Sequence, residues 1–359
     1  MVGTSRTNEP NQPERAPDDE EDTQMPEQPL YRIYDTALLD LDGVVYAGPR
    51  AIDHAVDSLA EAREAGMRLA YVTNNASRTP QAVAAHLSEL GVAAEPGDVI
   101  TSAQAAARLV AEKVPAGAAV LVIGGEGLVE AVRERGLRPV RSLDDDPAAV
   151  VQGYDPTVGW KDLAEASYAV AKGLPWVASN TDLTIPTARG IAPGNGTLVG
   201  VVRTATGVEP EVAGKPLPPM HRETVIRTGA KRPLVVGDRL DTDIEGAFNG
   251  GVDSLLVFTG VSRPEELPEA PAKYRPTYVA ADLRGLLRAQ PELVAGEDGS
   301  YGCGGWTVSV ADGALSLGDA RGDDPYDGLR ALCAAAWAAA DADGGTTPKW
   351  REALAALDL

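Results

Sequence analysis

The sequence predicts an α/β fold with a parallel sheet, a second α/β unit of the same kind, and a small α+β region after them. Three observations predict this fold. Short apolar runs alternate with stretches of helical spacing over much of residues 36–258. A segment rich in Gly, Pro and Thr, residues 182–200, interrupts the alternation. Residues 291–359 show a hairpin signal and one long helical stretch instead.

Length, charge and composition exclude several classes of protein. The 359 residues suggest about two to three domains. A formal net charge of −21 repels polyanions, so we expect no nucleic-acid partner. No run approaches the roughly 20 apolar residues of a membrane span and no signal peptide is recognisable, so we expect a cytoplasmic protein with no membrane partner. The two cysteines, Cys303 and Cys333, lack the spacing of a disulfide framework or a zinc site.

The first elements are an acidic tail and a β-α-β unit. Residues 1–29 combine an acidic run with several prolines and few apolar side chains, which predicts a disordered tail. The β-α-β pattern that follows consists of a strand-like run ending in acids, a helical stretch and a second strand-like run, at 37–42, 51–66 and 67–75. It continues with a helix, a short strand and another helix, at about 80–90, 99–100 and 103–113.

A second unit of the same kind begins at residue 118. Its predicted strands and one of its helices lie at 118–125, 149–154, 175–180 and 161–172. We expect a loop over 182–200 and a helix over 197–206. After Lys215, two further strands and an intervening helix are predicted at 233–238, 253–258 and 243–249, and they complete a second α/β stretch.

The end of the chain predicts a small α+β unit. The runs WTVSV and ALSL flank Ala311-Asp312-Gly313, which is a hairpin signal. The helical stretch 324–342 places a set of mostly apolar residues on one face, namely Leu329, Leu332, Cys333, Ala336, Trp337 and Ala340.

Asp40 and Asp42 end the first predicted strand and precede Gly43. Residues two apart on a strand point to the same side, so both carboxylates face one site. One carboxylate can stay ionised as a nucleophile or metal ligand while the other carries a proton. The alternative interpretation is a polar strand end followed by a turn.

Further polar segments lie near strand ends, where ligands bind in open parallel sheets. Thr73, Asn74 and Asn75 offer neutral donors for an anionic oxygen, with turn chemistry as the alternative. Lys215, between a glycine and a proline, offers a fixed cation for a phosphate, with an ordinary surface lysine as the alternative.

Two more carboxylates lie near this end of the sheet, since Asp238 ends the predicted strand 233–238 and Asp243 lies at the start of the next helix. With Asp40 and Asp42 they form a ligand set made only of oxygen atoms. Such a set favours Mg²⁺ over zinc or copper.

The motifs DxDG, TNN, GK and GDxxxTD begin at residues 40, 73, 214 and 237. In this order and spacing the chain resembles the haloacid dehalogenase superfamily of phosphohydrolases, and within it the NagD-like subgroup. The resemblance covers about residues 35–290. It implies a Rossmann-like core, a phosphatase activity and a small phosphorylated metabolite as substrate.

The resemblance also assigns roles to the carboxylates. Asp40 would attack phosphorus and Asp42 would act as general acid and then general base. Mg²⁺ would be held by the carboxylates of Asp40 and Asp238 and by the backbone carbonyl of Asp42, with Asp243 orienting metal-bound water. The phosphoryl oxygens would be bound by Thr73, Asn74, Asn75 and Lys215.

A further implication of the resemblance is a core at 30–101 and 209–290 with an inserted C2-type cap at 102–208. The cap would cover the site and leave room for a small leaving group. Its predicted substrate-facing segment is 180–197, and the polar candidates there are Asn180, Asp182, Arg189 and Asn195.

Residues 291–359 resemble part of an acetyltransferase-like domain that is fused to actinobacterial glycerol-3-phosphate phosphatases. The turn that binds acetyl-CoA is missing before the helix at residue 325. We therefore expect this appendage to make a docking or oligomer contact through Trp306, Trp337 or Trp350, and the chain to form a homo-oligomer. The alternative is that these tryptophans belong to the core.

The resulting hypothesis is Mg²⁺-dependent hydrolysis of a small phosphomonoester, with glycerol 3-phosphate as the leading substrate. A nucleoside monophosphate such as UMP, or pyridoxal phosphate, is the alternative within this activity. A binding regulator without turnover is the alternative from another class, and the intact Asp40 and Asp42 pair argues against it.

Overall fold

The structure of the chain, a computed structural model, describes residues 28–187 and 189–359. Residues 1–27 of the predicted acidic tail 1–29 therefore lie outside the described residues. In the part of the chain that the structure describes, no helix has both the length and the apolar character needed to cross a membrane.

The strands, in chain order, are β1 (Thr36–Leu39), β2 (Tyr46–Ala47), β3 (Arg50–Ala51), β4 (Arg68–Thr73), β5 (Val99–Thr101), β6 (Ala119–Ile123), β7 (Arg138–Val140), β8 (Ala149–Gln152), β9 (Trp176–Ala178), β10 (Thr184–Thr187), β11 (Gly190–Pro193), β12 (Glu211–Val212), β13 (Pro233–Gly237), β14 (Asp253–Val257), β15 (Tyr278–Ala280), β16 (Val294–Ala295), β17 (Tyr301–Cys303), β18 (Trp306–Ala311) and β19 (Ala314–Leu317).

The helices, in chain order, are α1 (Leu30–Ile33), α2 (Ala55–Glu64), α3 (Pro80–Glu89), α4 (Ser102–Ala111), α5 (Glu126–Glu134), α6 (Trp160–Ala171), α7 (Asn195–Thr206), α8 (Pro218–Thr228), α9 (Glu245–Gly250), α10 (Pro325–Ala342) and α11 (Arg351–Ala355). Short 3₁₀ turns lie between several of them, and a π-helical turn (Leu240–Ile244) leads into α9.

The first sheet has six parallel strands in the order β15-β14-β13-β1-β4-β5. Chain segments from both sides of the inserted unit contribute to it, so β1 lies in the middle between β13 and β4. All four residues of β1 are buried, as expected for a strand with helices on both faces of its sheet. The predicted α/β fold with a parallel sheet is confirmed.

The second sheet has five parallel strands in the order β12-β9-β8-β6-β7. Its last strand, β12, pairs with β9 through Glu211 and Val212. The second sheet therefore extends past residue 208, where the sequence analysis placed the end of the cap. A strand of two residues carries no hydrophobic pattern, so the sequence gives no sign of it.

The predicted loop over residues 182–200 is wrong in part. Strands β10 and β11 form an antiparallel hairpin in which Thr184 lies opposite Pro193. Each strand of a two-stranded hairpin is an edge, where proline is tolerated, so the prolines of this segment do not prevent pairing. Helix α7 then begins at Asn195 rather than at residue 197.

Helix α4 joins the two sheets. Its start is fixed by a capping box, because the Thr101 hydroxyl accepts from the Gln104 backbone N–H and the Gln104 side chain accepts from that of Thr101. Buried residues of α4 share one apolar cluster with Ile100 of the first sheet and Val122 of the second. The core therefore continues from one unit into the other.

The third sheet is antiparallel, with the order β16-β17-β18-β19. The turn between β18 and β19 has left-handed backbone at Asp312 (φ 52°) and Gly313 (φ 72°), as a two-residue hairpin turn requires. The hairpin and the long helix predicted for this region are confirmed.

The appendage packs on the first sheet. Leu329 and Leu332 of α10 share a buried cluster with Leu256 and Val279. The docking role expected for the tryptophans is not supported for two of them, since Trp306 and Trp350 belong to the same buried cluster. Trp337 is half-buried, and its indole N–H donates to the Leu267 carbonyl inside the molecule (2.8 Å).

Candidate active site

The predicted site residues follow three adjacent strands of the first sheet. Asp40 comes directly after β1, Thr73 ends β4, and Asp238 comes directly after β13. Because these strands are parallel neighbours, their carboxyl ends meet at one edge of the sheet. This geometry explains why residues far apart in the sequence lie together here.

Lys215 lies between two of the carboxylates. Its Nζ donates to Asp40 Oδ1 at 2.5 Å and to Asp243 Oδ1 at 2.7 Å, and the Val72 carbonyl is 3.3 Å away. The side chains of Lys215 and Asp40 are 11% and 15% exposed, and that of Asp243 is 1% exposed. The structure therefore contradicts the surface-lysine interpretation of Lys215.

Asp238 has an oxygen atom without a partner. Its Oδ2 accepts from the Val261 backbone N–H at 2.7 Å, whereas its Oδ1 is buried and has no hydrogen-bond donor among the described residues. Gly43, whose φ of 87° favours glycine, lies against this carboxylate, and a Cβ there would be 2.5 Å from Asp238 Oδ2. The backbone at Gly43 thus packs against the Asp238 carboxylate, and a larger residue at this position would clash with it.

Burial makes the carboxylates difficult to ionise together. It raises the pKa of Asp40 to about 7, an effect that Lys215 opposes and that the neighbouring Asp243 and Asp238 strengthen. It raises the pKa of Asp238 to about 6, again with help from Asp243. Burial lowers the pKa of Lys215, but Asp243 and Asp40 outweigh it and hold that pKa above its ordinary value.

The donor set fits a divalent cation. Asp40, Asp238 and Asp243 each offer a carboxylate oxygen, and these atoms lie within 4.8 Å of one another. Both oxygens of Asp243 already accept hydrogen bonds, from Lys215 Nζ and from the Arg239 backbone N–H at 3.2 Å. Asp40 and the unpartnered Oδ1 of Asp238 are therefore the better ligands, and all of the donors are the hard oxygens that Mg²⁺ prefers.

Asp42 is more open to solvent than Asp40. Burial of its carboxyl group in the cleft still raises its pKa, opposed chiefly by the positive charges of Arg78 and Lys215. A raised pKa favours the protonated form of the carboxyl group, which a general acid needs.

The three residues of the TNN motif make different hydrogen bonds. Thr73 is buried and its Oγ1 accepts from the Asn75 backbone N–H at 3.1 Å, which leaves the hydroxyl hydrogen free to donate. The Asn75 side-chain oxygen accepts from the backbone N–H groups of Ser77 (2.9 Å) and Arg78 (3.2 Å). The structure thus supports the turn interpretation for the Asn75 side chain. The side chain of Asn74 hydrogen-bonds the backbone of Lys215.

The four predicted cap residues lie at different depths. Asn180 Nδ2 donates to the Asn74 carbonyl at 2.7 Å, and the Asp182 carboxylate accepts from Asn74 Nδ2 at 3.3 Å, so both reach the site. Asn195 is buried behind them and donates to the Asn180 carbonyl at 2.7 Å. Arg189 is exposed at the tip of the β10–β11 hairpin and is not brought to the site by any hydrogen bond in the described residues.

Two residues near the site were not predicted. Ser102 Oγ donates to the Asn74 carbonyl at 2.6 Å, and nothing in its sequence context indicates that contact. Arg78 is exposed, and its positive charge acts on Asp42. The sequence feature that could have identified Arg78 is its position shortly after the TNN motif.

Family models match three parts of the chain. A model described as haloacid dehalogenase-like hydrolase matches residues 37–138, and one described as HAD-hydrolase-like matches residues 212–286. A model of a GCN5-related N-acetyltransferase-like domain matches residues 303–359. The resemblances drawn from the sequence motifs are confirmed.

Individual relatives cover most of the chain. The D-glycerol 3-phosphate phosphatase of Mycobacterium tuberculosis is 47% identical over 317 residues, which span 86% of this chain and 88% of that protein. An acid sugar phosphatase of Staphylococcus aureus is 39% identical over 252 residues, which span 70% of this chain and 95% of that protein.

Solved structures show the same likeness. The glycerol phosphate phosphatase of Mycobacterium tuberculosis in complex with calcium has a TM-score of 0.83 and 44% identity, covering 92% of this chain and 99% of that one. Its structure in complex with magnesium has a TM-score of 0.80 and 46% identity, covering 87% of this chain and 92% of that one.

Proposed function

We propose that this chain, which belongs to the haloacid dehalogenase-like hydrolases and is a phosphatase, hydrolyses glycerol 3-phosphate in a Mg²⁺-dependent reaction that passes through a phosphoryl group on Asp40. One observation carries the proposal. The Asp40 carboxylate is held by Lys215 at 2.5 Å, next to the buried and unpartnered Oδ1 of Asp238. A nucleophile, a fixed cation and a free metal ligand thus lie at one sheet edge.

The proposed reaction has two halves. In the first, a bond forms between a carboxylate oxygen of Asp40 and phosphorus, and the bond from phosphorus to the glycerol oxygen breaks. Asp42 donates its proton to that oxygen as glycerol leaves. In the second half, water attacks phosphorus and gives a proton to Asp42. The bond between phosphorus and Asp40 then breaks, and inorganic phosphate is released.

The residues around Asp40 offset the charge of the phosphoryl group. Lys215 and the free hydroxyl hydrogen of Thr73 would bind phosphoryl oxygens, which carry charge in the transition state. When bound, Mg²⁺ neutralises the charge on these oxygens. Asp40 and Asp238 would hold the ion, and Asp243 would remain bonded to Lys215 and to the backbone.

The substrate assignment draws on the likeness to the Mycobacterium enzyme, which is named for glycerol 3-phosphate. The cap segment that holds Asn180 and Asp182 contacts the TNN turn directly, which supports a cap that covers the carboxyl edge of the sheet. A cleft covered in this way favours a small leaving group such as glycerol.

A substrate panel tests the proposal. Phosphate release with Mg²⁺ is measured for glycerol 3-phosphate, UMP, pyridoxal phosphate and several sugar phosphates, and kcat/KM is compared among them. We expect the highest value for glycerol 3-phosphate. A higher kcat/KM for UMP or pyridoxal phosphate would refute the substrate assignment, and a higher one for a sugar phosphate would favour the activity for which the Staphylococcus relative is named.

A further inference from the structure

The side chain of Asn74 brackets the backbone of Lys215. Its Oδ1 accepts from the Lys215 N–H at 2.8 Å, and its Nδ2 donates to the Lys215 carbonyl at 3.1 Å. Both polar backbone atoms of Lys215 are therefore held by one amide group. Since the other end of Lys215 is bonded to Asp40 and Asp243, the position of this backbone helps to fix the ammonium group between them.

Asn74 also contacts the cap. Its Nδ2 lies 3.3 and 3.4 Å from the two carboxylate oxygens of Asp182, so its donor capacity is shared between the lysine carbonyl and the cap. Its backbone carbonyl accepts from Asn180 Nδ2 at 2.7 Å and from Ser102 Oγ at 2.6 Å. These bonds leave the side chain no free donor for a phosphoryl oxygen.

The cap residues that contact Asn74 lie in a segment that further hydrogen bonds hold in place. The Asp182 N–H donates to Asn180 Oδ1 at 3.1 Å, and the Asp182 carbonyl accepts from the Gly196 N–H at 2.9 Å. Asn195 Nδ2 holds the Asn180 carbonyl at 2.7 Å. Since Asn195 and Gly196 start helix α7, a shift of that helix carries both contacts to Asn74 with it.

Gly214 makes the approach of Asn74 to Lys215 sterically feasible. A Cβ at this position would lie 2.6 Å from Asn74 Oδ1 and 2.6 Å from the Ser179 carbonyl, well inside van der Waals contact. Any larger residue would push the amide group away from the Lys215 N–H. This steric limit explains why a glycine, Gly214, precedes Lys215.

We infer that Asn74 is a positioning residue, which couples the seating of the Asn180–Asp182 cap segment to the placement of Lys215 beside Asp40. The inference rests on the proposed function only in giving Lys215 a part in phosphoryl transfer. The coupling itself is a property of the fold, and it can be measured without substrate.

Hydrogen–deuterium exchange of the full chain, followed on the peptide that contains Gly214 and Lys215, tests the coupling. We expect faster exchange in Asn74→Ala, which removes the acceptor of the Lys215 N–H. We also expect faster exchange in Asp182→Ala, although Asp182 makes no hydrogen bond to Lys215. The matched control is Asn249→Ala, because the exposed Asn249 amide donates to the neighbouring Pro216 carbonyl (2.8 Å) and makes no hydrogen bond to the cap among the described residues.

Unchanged exchange in Asp182→Ala, or an equal increase in Asn249→Ala, would overturn the inference. If Asn74→Ala does not fold, Gly214→Ala takes its place, and the inference then requires faster exchange with the Asn74 side chain intact. These outcomes do not depend on which phosphomonoester is the substrate, so they are separable from a failure of the proposed function.

A double-mutant cycle gives a second, kinetic test. Asn74→Asp places a carboxylate against Asp182, and we expect kcat to fall more than KM rises. Adding Asp182→Asn supplies an amide donor to the new carboxylate, so we expect kcat to recover by roughly tenfold relative to additive effects. Strict additivity of the two substitutions would contradict the inference.

Discussion

Two buried charge clusters lie close together along the chain and are built in opposite ways. At the active site, three carboxylates lie close together, and the one ammonium group paired with them, that of Lys215, bonds two of the three. On helix α8, which begins three residues later, the single carboxylate of Glu223 is bonded by three guanidinium groups. The partners of Glu223 are Arg108, Arg135 and Arg227.

The two clusters shift pKa values in opposite directions. Burial raises the pKa of Asp40 to about 7 because a single lysine does not offset burial and the neighbouring carboxylates. Burial also acts to raise the pKa of Glu223, but hydrogen bonds from Arg108 and Arg227 outweigh it and hold that pKa below its ordinary value. The active-site cluster is incomplete, because its carboxylates outnumber its positive charges, and this suits it to bind a cation and to react. The Glu223 cluster is saturated, because its carboxylate has three positive partners, and this suits it to stabilise the fold.

The location of the Glu223 cluster supports a structural role. Arg108 lies on α4, Arg135 directly follows α5, and Glu223 and Arg227 lie on α8. The Glu223 side chain is 0% exposed and those of its arginines are each 22% exposed. The cluster thus connects α4 and α5 with α8, the helix that follows Lys215 in the chain. In this way it links the inserted unit to the first unit.

Removing the nucleophile should have the largest effect. Asp40→Asn keeps the size of the side chain but replaces the nucleophilic carboxylate with a neutral amide, so we expect kcat for phosphate release to fall by about a thousandfold or more. The chemically matched control is Asp341→Asn, at a carboxylate of the appendage that is 61% exposed and pairs with Arg275. Activity of Asp40→Asn close to that of the control would show that Asp40 is not the nucleophile.

Removing the carboxylate of the saturated cluster should cost stability rather than chemistry. Glu223→Gln leaves three arginines without their anion, and we expect a loss of about 3–5 kcal/mol in the free energy of unfolding by urea. The control is Glu126→Gln, because the Glu126–Arg133 pair is more than half exposed (66% and 61%) and should contribute about 1 kcal/mol or less. Equal losses in the two variants would remove the distinction between the clusters.

Mg²⁺ should stabilise the chain through the incomplete cluster only. At a concentration 100 times its Kd, a bound ion adds about 2.7 kcal/mol to the stability of the folded state. We expect Mg²⁺ to raise the Tm of the wild type and of Glu223→Gln, and to have little effect on Asp238→Asn, in which a neutral amide replaces the carboxylate ligand. A full Tm rise in Asp238→Asn would place the ion elsewhere.

The smallest expected effect is a pH dependence of the Glu223 contribution. Because folding lowers the pKa of Glu223, its stabilisation is complete above the ordinary value of 4.5 and is lost as pH falls through the lower folded value. The difference in unfolding free energy between wild type and Glu223→Gln should therefore shrink on acidification below pH 4.5. A difference that grows in this range would reverse the assigned sign.

The sequence indicates the two clusters to different extents, for a physical reason. Asp40 and Asp238 belong to short motifs at the ends of apolar runs, so a local pattern reveals them. Glu223 gets its meaning from Arg108 and Arg135, which are 115 and 88 residues away, and no local pattern links helices over that distance. The available signal for this cluster was the position of Glu223 next to Thr224 on the buried side of α8, where a carboxylate needs a positively charged or hydrogen-bonding partner.

Other parts of the site show the same limit. The sequence predicts that Asn74 and Asn75 lie near the phosphate, but it cannot show that one amide group holds Lys215 while the other closes a turn. Those functions depend on hydrogen bonds made after the chain has folded. The β10–β11 hairpin was missed because its prolines and glycines are also typical of loops.

Detection of the phosphorylated intermediate tests the central claim most directly. The wild-type chain is mixed with glycerol 3-phosphate and Mg²⁺, quenched in acid within one turnover, and digested for mass spectrometry. We expect a transient phosphoryl group on the peptide that contains Asp40, located at that residue and absent from Asp40→Asn. Full single-turnover release of phosphate with the Asp40 peptide unmodified at every quench time would contradict it.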